Sequence, residues 1–256
     1  MLVAVAVLAI LGLAPTAFGV FFLSLHVRNL RRAALIGRVP TSPAVAVAGM
    51  RPGQLVEAKG TLRCPKPLKS ELAGRACAYF ESRLDRIFRQ EVRDSDGDTR
   101  TEERTETVAK NVRLTPFFVE DATGRVRVVP DGAELDALSV YDQSEERPGR
   151  GKGWISFGGR RVEVDYGFDT LGYRFREEIL PIDGFVYVVG VVSNDGNIAR
   201  PNKGQPGAGF LISYRSEESL ARSFQMDPMI FWPGVGGLAI GGLFFASALL
   251  VWLIWG

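Results

Sequence analysis

The residues predict a mainly β protein, an antiparallel β-barrel or sandwich set between two transmembrane helices. Three observations lead there. Residues 1–25 and 229–256 carry no charged side chain, so every charged residue lies between them. Each run exceeds the roughly 20 apolar residues that a helix needs to cross a bilayer. The middle alternates β-branched and aromatic runs with turn residues, about seven strands by pattern, as barrels and sandwiches do. Finally, Thr115 to Leu135 reads as strand, tight turn, strand. Phe117, Phe118 and Val119 lead into Asp121-Ala122-Thr123-Gly124, then Val126 and Val128 share one face while Arg125 and Arg127 take the other. Gly124 suits the positive φ of such a turn, and Asp121 can bond its own backbone two residues on.

Taken in order, residues 1–25 fit a membrane helix better than a cleaved signal peptide. No basic region precedes the apolar run, and the run is too long. Pro15 lies inside it. Residues 26–40 continue as a basic juxtamembrane helix and connector, with Arg28, Arg31 and Arg32 placed to reach lipid phosphates. The β domain is expected over 41–225. Leu55 to Leu62 is a strand, and another carries Cys77 and Tyr79 on through Phe88. Glu91 to Glu106 reads as the solvated tip of a long hairpin, with Thr107 to Val112 returning. Tyr141 to Arg161, which holds the glycine-rich basic stretch with Arg150 and Lys152, reads as a surface loop. Tyr173 to Leu180 is a strand. Phe185 to Val192 is apolar throughout and predicts a central strand. Asn194 to Gly209 reads as a second loop, Phe210 to Ser213 as a last strand, and Glu217 to Phe224 as a short helix.

Residues 229–256 form the second span. Gly237 and Gly241 make a GxxxG there, which predicts close packing of the two spans or pairing with a second copy. Arg28, Arg31, Arg32, Arg215 and Arg222 all lie on the domain side, so the positive-inside rule places the domain in the cytoplasm, with export as the alternative. Cys64 and Cys77 are then expected as thiols; on the exported side they would form a disulfide.

Several stretches together resemble one known family. These are Pro40-Thr41-Ser42, Val56 to Gly60, Cys77-Ala78-Tyr79-Phe80, Pro116-Phe117-Phe118-Val119-Glu120-Asp121-Ala122-Thr123-Gly124, Pro130-Asp131-Gly132, and Tyr187 to Gly190. With the two flanking apolar segments they resemble the GIDE domain, the membrane-flanked domain of a mitochondrial RING-type E3 ubiquitin ligase. The resemblance implies structural roles for Pro116, Phe117, Asp121, Thr123, Gly124, Pro130, Gly132, Cys77 and Tyr79. A RING needs eight Cys or His ligands around two zinc ions, and these residues include two Cys and one His. The resemblance therefore implies the membrane-bound domain, with ligase-type activity only beside a RING-bearing partner.

The residues offer no catalytic constellation, metal-ligand set or cofactor motif. His26 sits at the membrane edge, away from any nucleophile. Asp94 to Asp98 lacks the glycine and glutamate of a calcium loop. Glu120 and Asp121 are adjacent on a strand and point apart. Cys77 has apolar neighbours and no histidine. The net charge of +2 and the acidic runs Glu102-Glu103 and Glu145-Glu146 argue against nucleic acid, which would need a basic groove with interleaved aromatics. The function expected is a membrane-anchored protein-binding or sensing module. Membrane lipid contacts Arg28, Arg31, Arg32, Arg150 or Lys152, a protein partner binds strand edges or loops, and a homodimer forms through the second span.

Overall fold

The structure is a computed structural model that describes residues 2–33, 40–93, 98–146, 151–167, 169–202, 209–223 and 228–255. The calcium-like Asp94 to Gly97, and Arg147 to Arg150, lie outside the described residues, as do the side chains of His26, Arg28, Arg31, Arg32 and Arg222. The elements are α1 (Leu2–Ala33), α2 (Ala44–Val47), β1 (Leu55–Arg63), β2 (Leu68–Lys69), β3 (Ala76–Arg93), β4 (Thr99–Leu114), β5 (Phe117–Asp121), β6 (Gly124–Val128), β7 (Glu134–Asp136), β8 (Leu138–Glu146), β9 (Lys152–Phe157), β10 (Arg160–Asp165), β11 (Thr170–Pro181), β12 (Phe185–Val192), β13 (Ile198–Ala199), β14 (Leu211–Ser213), α3 (Glu217–Ser223) and α4 (Pro228–Trp255). The protein is mainly β, and it divides into a helical unit and a β unit that meet in sequence at 38/39 and 216/217.

In the helical unit, α1 packs along α4. Glycines set the approach. A Cβ on Gly237 would lie 2.7 Å from the Pro15 carbonyl oxygen and 2.8 Å from the Gly19 amide nitrogen. One on Gly19 would lie 2.6 Å from the Leu238 amide nitrogen. The GxxxG face of α4 is thus spent on α1 of the same chain, where only hydrogen fits between the backbones. Among the described residues, Phe231–Leu250 is the stretch long and apolar enough to cross a membrane, while Ile10–Leu25 is a shorter apolar helix. The expectation of two spans thus finds one candidate here.

The β unit has two large curled sheets and a two-stranded one. In the first, β1 pairs antiparallel with β5 and with β12, β5 with β6, and β12 with β13. One parallel pair, Ile198 with Val128, links β13 back to β6. The pairings therefore run round a ring that is thin at a single point. Inward residues alternate along each strand: Val56, Ala58 and Leu62 on β1, Phe117 and Val119 on β5, Val126 and Val128 on β6, Val186 and Val188 on β12. Helix α2 adds Ala44 and Val47 to this core. β14 and β7 extend the sheet beyond β12.

The second sheet runs β4, β3, β11, β8, with β2 on the start of β3. One face forms a second core, in which Leu84, Tyr173 and Phe175 meet Ile155, Phe157 and Val164 of the separate β9–β10 hairpin. The structure differs from the sequence reading in several places: Tyr141 to Glu146, read as loop, ends β8, and Ile198–Ala199, inside the second expected loop, is β13. The polar stretch around the expected hairpin tip is strand, because β3 and β4 stay paired out to Arg93 and Thr99. Lys152 to Arg161, read as part of a loop, supplies β9 and the start of β10. Fourteen strands are described in place of about seven.

Candidate functional site

A closely bonded polar site in the β unit surrounds the Asp121 turn. Asp121 Oδ1 accepts hydrogen bonds from the Thr123 amide (2.7 Å), the Thr123 hydroxyl (2.6 Å) and the Gly124 amide (3.1 Å). Its Oδ2 reaches across to accept one from the Ala44 amide at 2.8 Å, and Thr123 Oγ1 accepts one from the Val45 amide at 3.4 Å. A carboxylate that folds its own turn thus also caps α2, the short helix of the connector. Burial pulls the Asp121 pKa up, but these hydrogen bonds together outweigh it and hold the carboxyl below its ordinary value. Gly124 has φ +149°, with Val45 packed over it.

A second carboxylate holds the same connector. Glu57, fully buried, accepts from the Thr41 hydroxyl at 2.8 Å and from the Tyr187 hydroxyl at 2.7 Å, while its carbonyl accepts from the Ser42 amide. Residues 41–47 are therefore tied at both ends to the ring. A third carboxylate, Asp136, serves the end of the unit. It accepts from Arg215 Nε at 2.8 Å and from Ser213 Oγ, and its carbonyl accepts from the Tyr214 amide. Arg215, counted in the sequence among the charges on the domain side, is in an ion pair with Asp136.

The other family-motif residues serve the core and its turns. Phe117 is fully buried, Pro130 is buried, and Pro116 offers its carbonyl to Cys64 Sγ. Gly132 has φ +76° and carries the Arg200 side chain against it. Tyr79 is buried and donates to Glu81 Oε2 at 3.0 Å, and burial is the first of the causes that raise its pKa. Cys77 is a buried free thiol pushed up to about 11, chiefly by burial, which makes it a poor nucleophile; Cys64 is also free. Glu120 bonds Arg63 and Asp121 bonds the connector, so the two carboxylates do not converge. Lys152 is exposed and pairs with Glu163 at 3.0 Å.

Sequence reasoning missed Glu177. It is fully buried and accepts from the amides of Glu71, Leu72 and Ala73 at 2.8, 2.9 and 2.8 Å, and from the Ser82 hydroxyl at 2.8 Å. Burial again pulls upward and the donors outweigh it, so the carboxyl sits below its ordinary value. A glutamate in an alternating strand looks solvent-facing, and the partners lie 95 to 106 positions away in the chain.

Among the described residues, no group of three or more His, Cys, Asp and Glu could hold a metal ion. These carboxylates are spent on amides, hydroxyls and arginines, an arrangement that positions chain segments and offers no free base. No curated protein matches the chain, and no solved structure does. A family model, GIDE, described as E3 Ubiquitin ligase, matches residues 89–246, more than half of the sequence. That stretch takes in the Asp121 turn, the Pro130-Asp131-Gly132 turn and most of α4, and on this match the chain belongs to the GIDE family.

Proposed function

We propose that this chain is a membrane-anchored protein-binding module, with α1 and α4 both crossing the bilayer and the β unit on the cytoplasmic side. The observation that carries it is the outer surface of the helical unit. Ile10, Leu13, Phe18 and Phe21 on α1, and Leu243, Leu249, Leu250 and Leu253 on α4, are all at least half exposed. Large side chains in that state call for hydrocarbon on both helices. Polar carboxylate clamps in the β unit suit a domain held at a surface, and β4 and β8, the edge strands of their sheet among the described residues, suit strand-adding partners.

A second reading follows from the family description: the chain takes part in ubiquitin transfer beside a RING-bearing partner. The two readings separate in a reconstituted transfer assay. The first expects no stimulation by the purified full chain, with or without an added RING-bearing protein; stimulation in either case overturns it. Sidedness is read by a compartment-sensitive reporter inserted at Gly151 in intact cells. A cytoplasmic signal is expected, and an exported signal overturns the orientation.

A further inference from the structure

The β9–β10 hairpin presents one face to the second core and the other to solvent. Ile155, Phe157 and Val164 point inward. Register pairs Lys152 with Asp165, Trp154 with Glu163 and Ser156 with Arg161, so these six side chains form the outer face, and all six are exposed. Trp154 is 61 % exposed at its centre. An indole is a large apolar group to leave in water, and tryptophan is the residue type most enriched at the energetic centre of protein interfaces. Among the described residues, both strands pair only with each other.

The charges select the occupant. The face carries two cations, Lys152 and Arg161, and two anions, Glu163 and Asp165, around the indole. An anionic bilayer or a polyanion would call for a net positive face. A balanced face can instead complement itself. We propose that two copies of this chain pair through this face about a two-fold axis beside Trp154, with indole against indole and the cations of one copy toward the anions of the other. The glycine face of α4 is already spent on α1, so pairing through the β unit does not compete with the helix packing. The outer face of one hairpin is small beside a standard interface of about 1,600 Å², so the pairing depends on confinement to a membrane, which raises the local concentration. In that respect alone the inference rests on the membrane anchoring proposed above.

The test uses the full chain, fused to one fluorescent protein, in phosphatidylcholine bilayers at graded surface density. Single-molecule photobleaching reads the dimer fraction. Trp154→Ala is expected to weaken dimerisation roughly tenfold. Arg161→Glu and Asp165→Lys are each expected to weaken it, and the double swap to restore it, while Lys152 stays paired with Glu163 of its own chain. The inference is overturned by the absence of two-step bleaching, by an unchanged dimer fraction in Trp154→Ala, or by failure of the swap to rescue. A protein whose other three tryptophans are Phe supplies a further arm: quenching of Trp154 by brominated lipid would place the indole in the bilayer and overturn the pairing. Failure here leaves the orientation and transfer assays untouched, so the two readings stand or fall separately.

Discussion

Three short-chain acids hold the β unit together at its ends, and each does so through donors distant in sequence. Asp121 is the sharpest case, because one carboxylate both closes a hairpin turn and caps a helix from another part of the chain. Asp121→Ala is expected to destabilise the full chain by about 1–2 kcal/mol, the usual cost of a lost cap. Limited proteolysis should then cut within residues 40–47 while the ring strands stay resistant. Equal cleavage in both proteins would show that the connector is held by Ala44 and Val47 alone. Glu177 sets a pH dependence. Its folded pKa lies below the unfolded one, so its contribution is complete above the ordinary carboxylate range, near pH 4.3 for Glu, and is lost as the pH falls through the folded value. Glu177→Gln is expected to be less stable at pH 7 by about 1–3 kcal/mol. The gap from the unmodified chain should close in more acid solution, which urea midpoints between pH 3 and 7 would measure.

At the scale of elements, periodicity decided what could be read. The β5–β6 hairpin was legible because Val119, Val126 and Val128 alternate with charged residues and Gly124 marks the turn. Phe185 to Val192 was legible because an eight-residue apolar run fits a central strand. β9 and β10 were hidden by composition. Glycines and arginines around them suggest a loop, yet Ile155 and Phe157 already alternate with Trp154 and Ser156, and Gly158-Gly159 is the turn. The distal parts of β3 and β4 were hidden for a different reason: cross-strand pairing supports them without any apolar face. The connector clamp was not legible at all, since nothing local links Asp121 to Ala44. Of the helices, the GxxxG of α4 was visible, and packing against the first helix was one of the two partners it left open. Gly237→Leu is expected to separate α1 from α4, costing about 1–3 kcal/mol as overpacked side chains do. Crosslinking between cysteines placed on the two helices should fall, and unchanged crosslinking would show that the glycine seam is dispensable.

For the whole molecule, the division is between a helical unit whose exterior is apolar and a β unit whose exterior is charged. The family fingerprint lies in the β unit and works structurally: its turn residues tie the incoming connector to the ring. The bonded carboxylates described above hold segments in place, which suits the binding module proposed here. β3 carries this design furthest, with 18 residues in one strand. From Tyr79 to Phe88 it lies between β4 and β11, whereas from Arg89 to Arg93 β4 is its only strand partner among the described residues. A ribbon of two strands is marginal in water, so backbone amides should trade their hydrogens for solvent deuterium at two very different rates along a single strand. The first half is expected to hold its hydrogens near the limit set by global unfolding and the second half to lose them through local opening. A molecule built this way can fray and re-zip its arm repeatedly while the rest of the unit keeps one conformation.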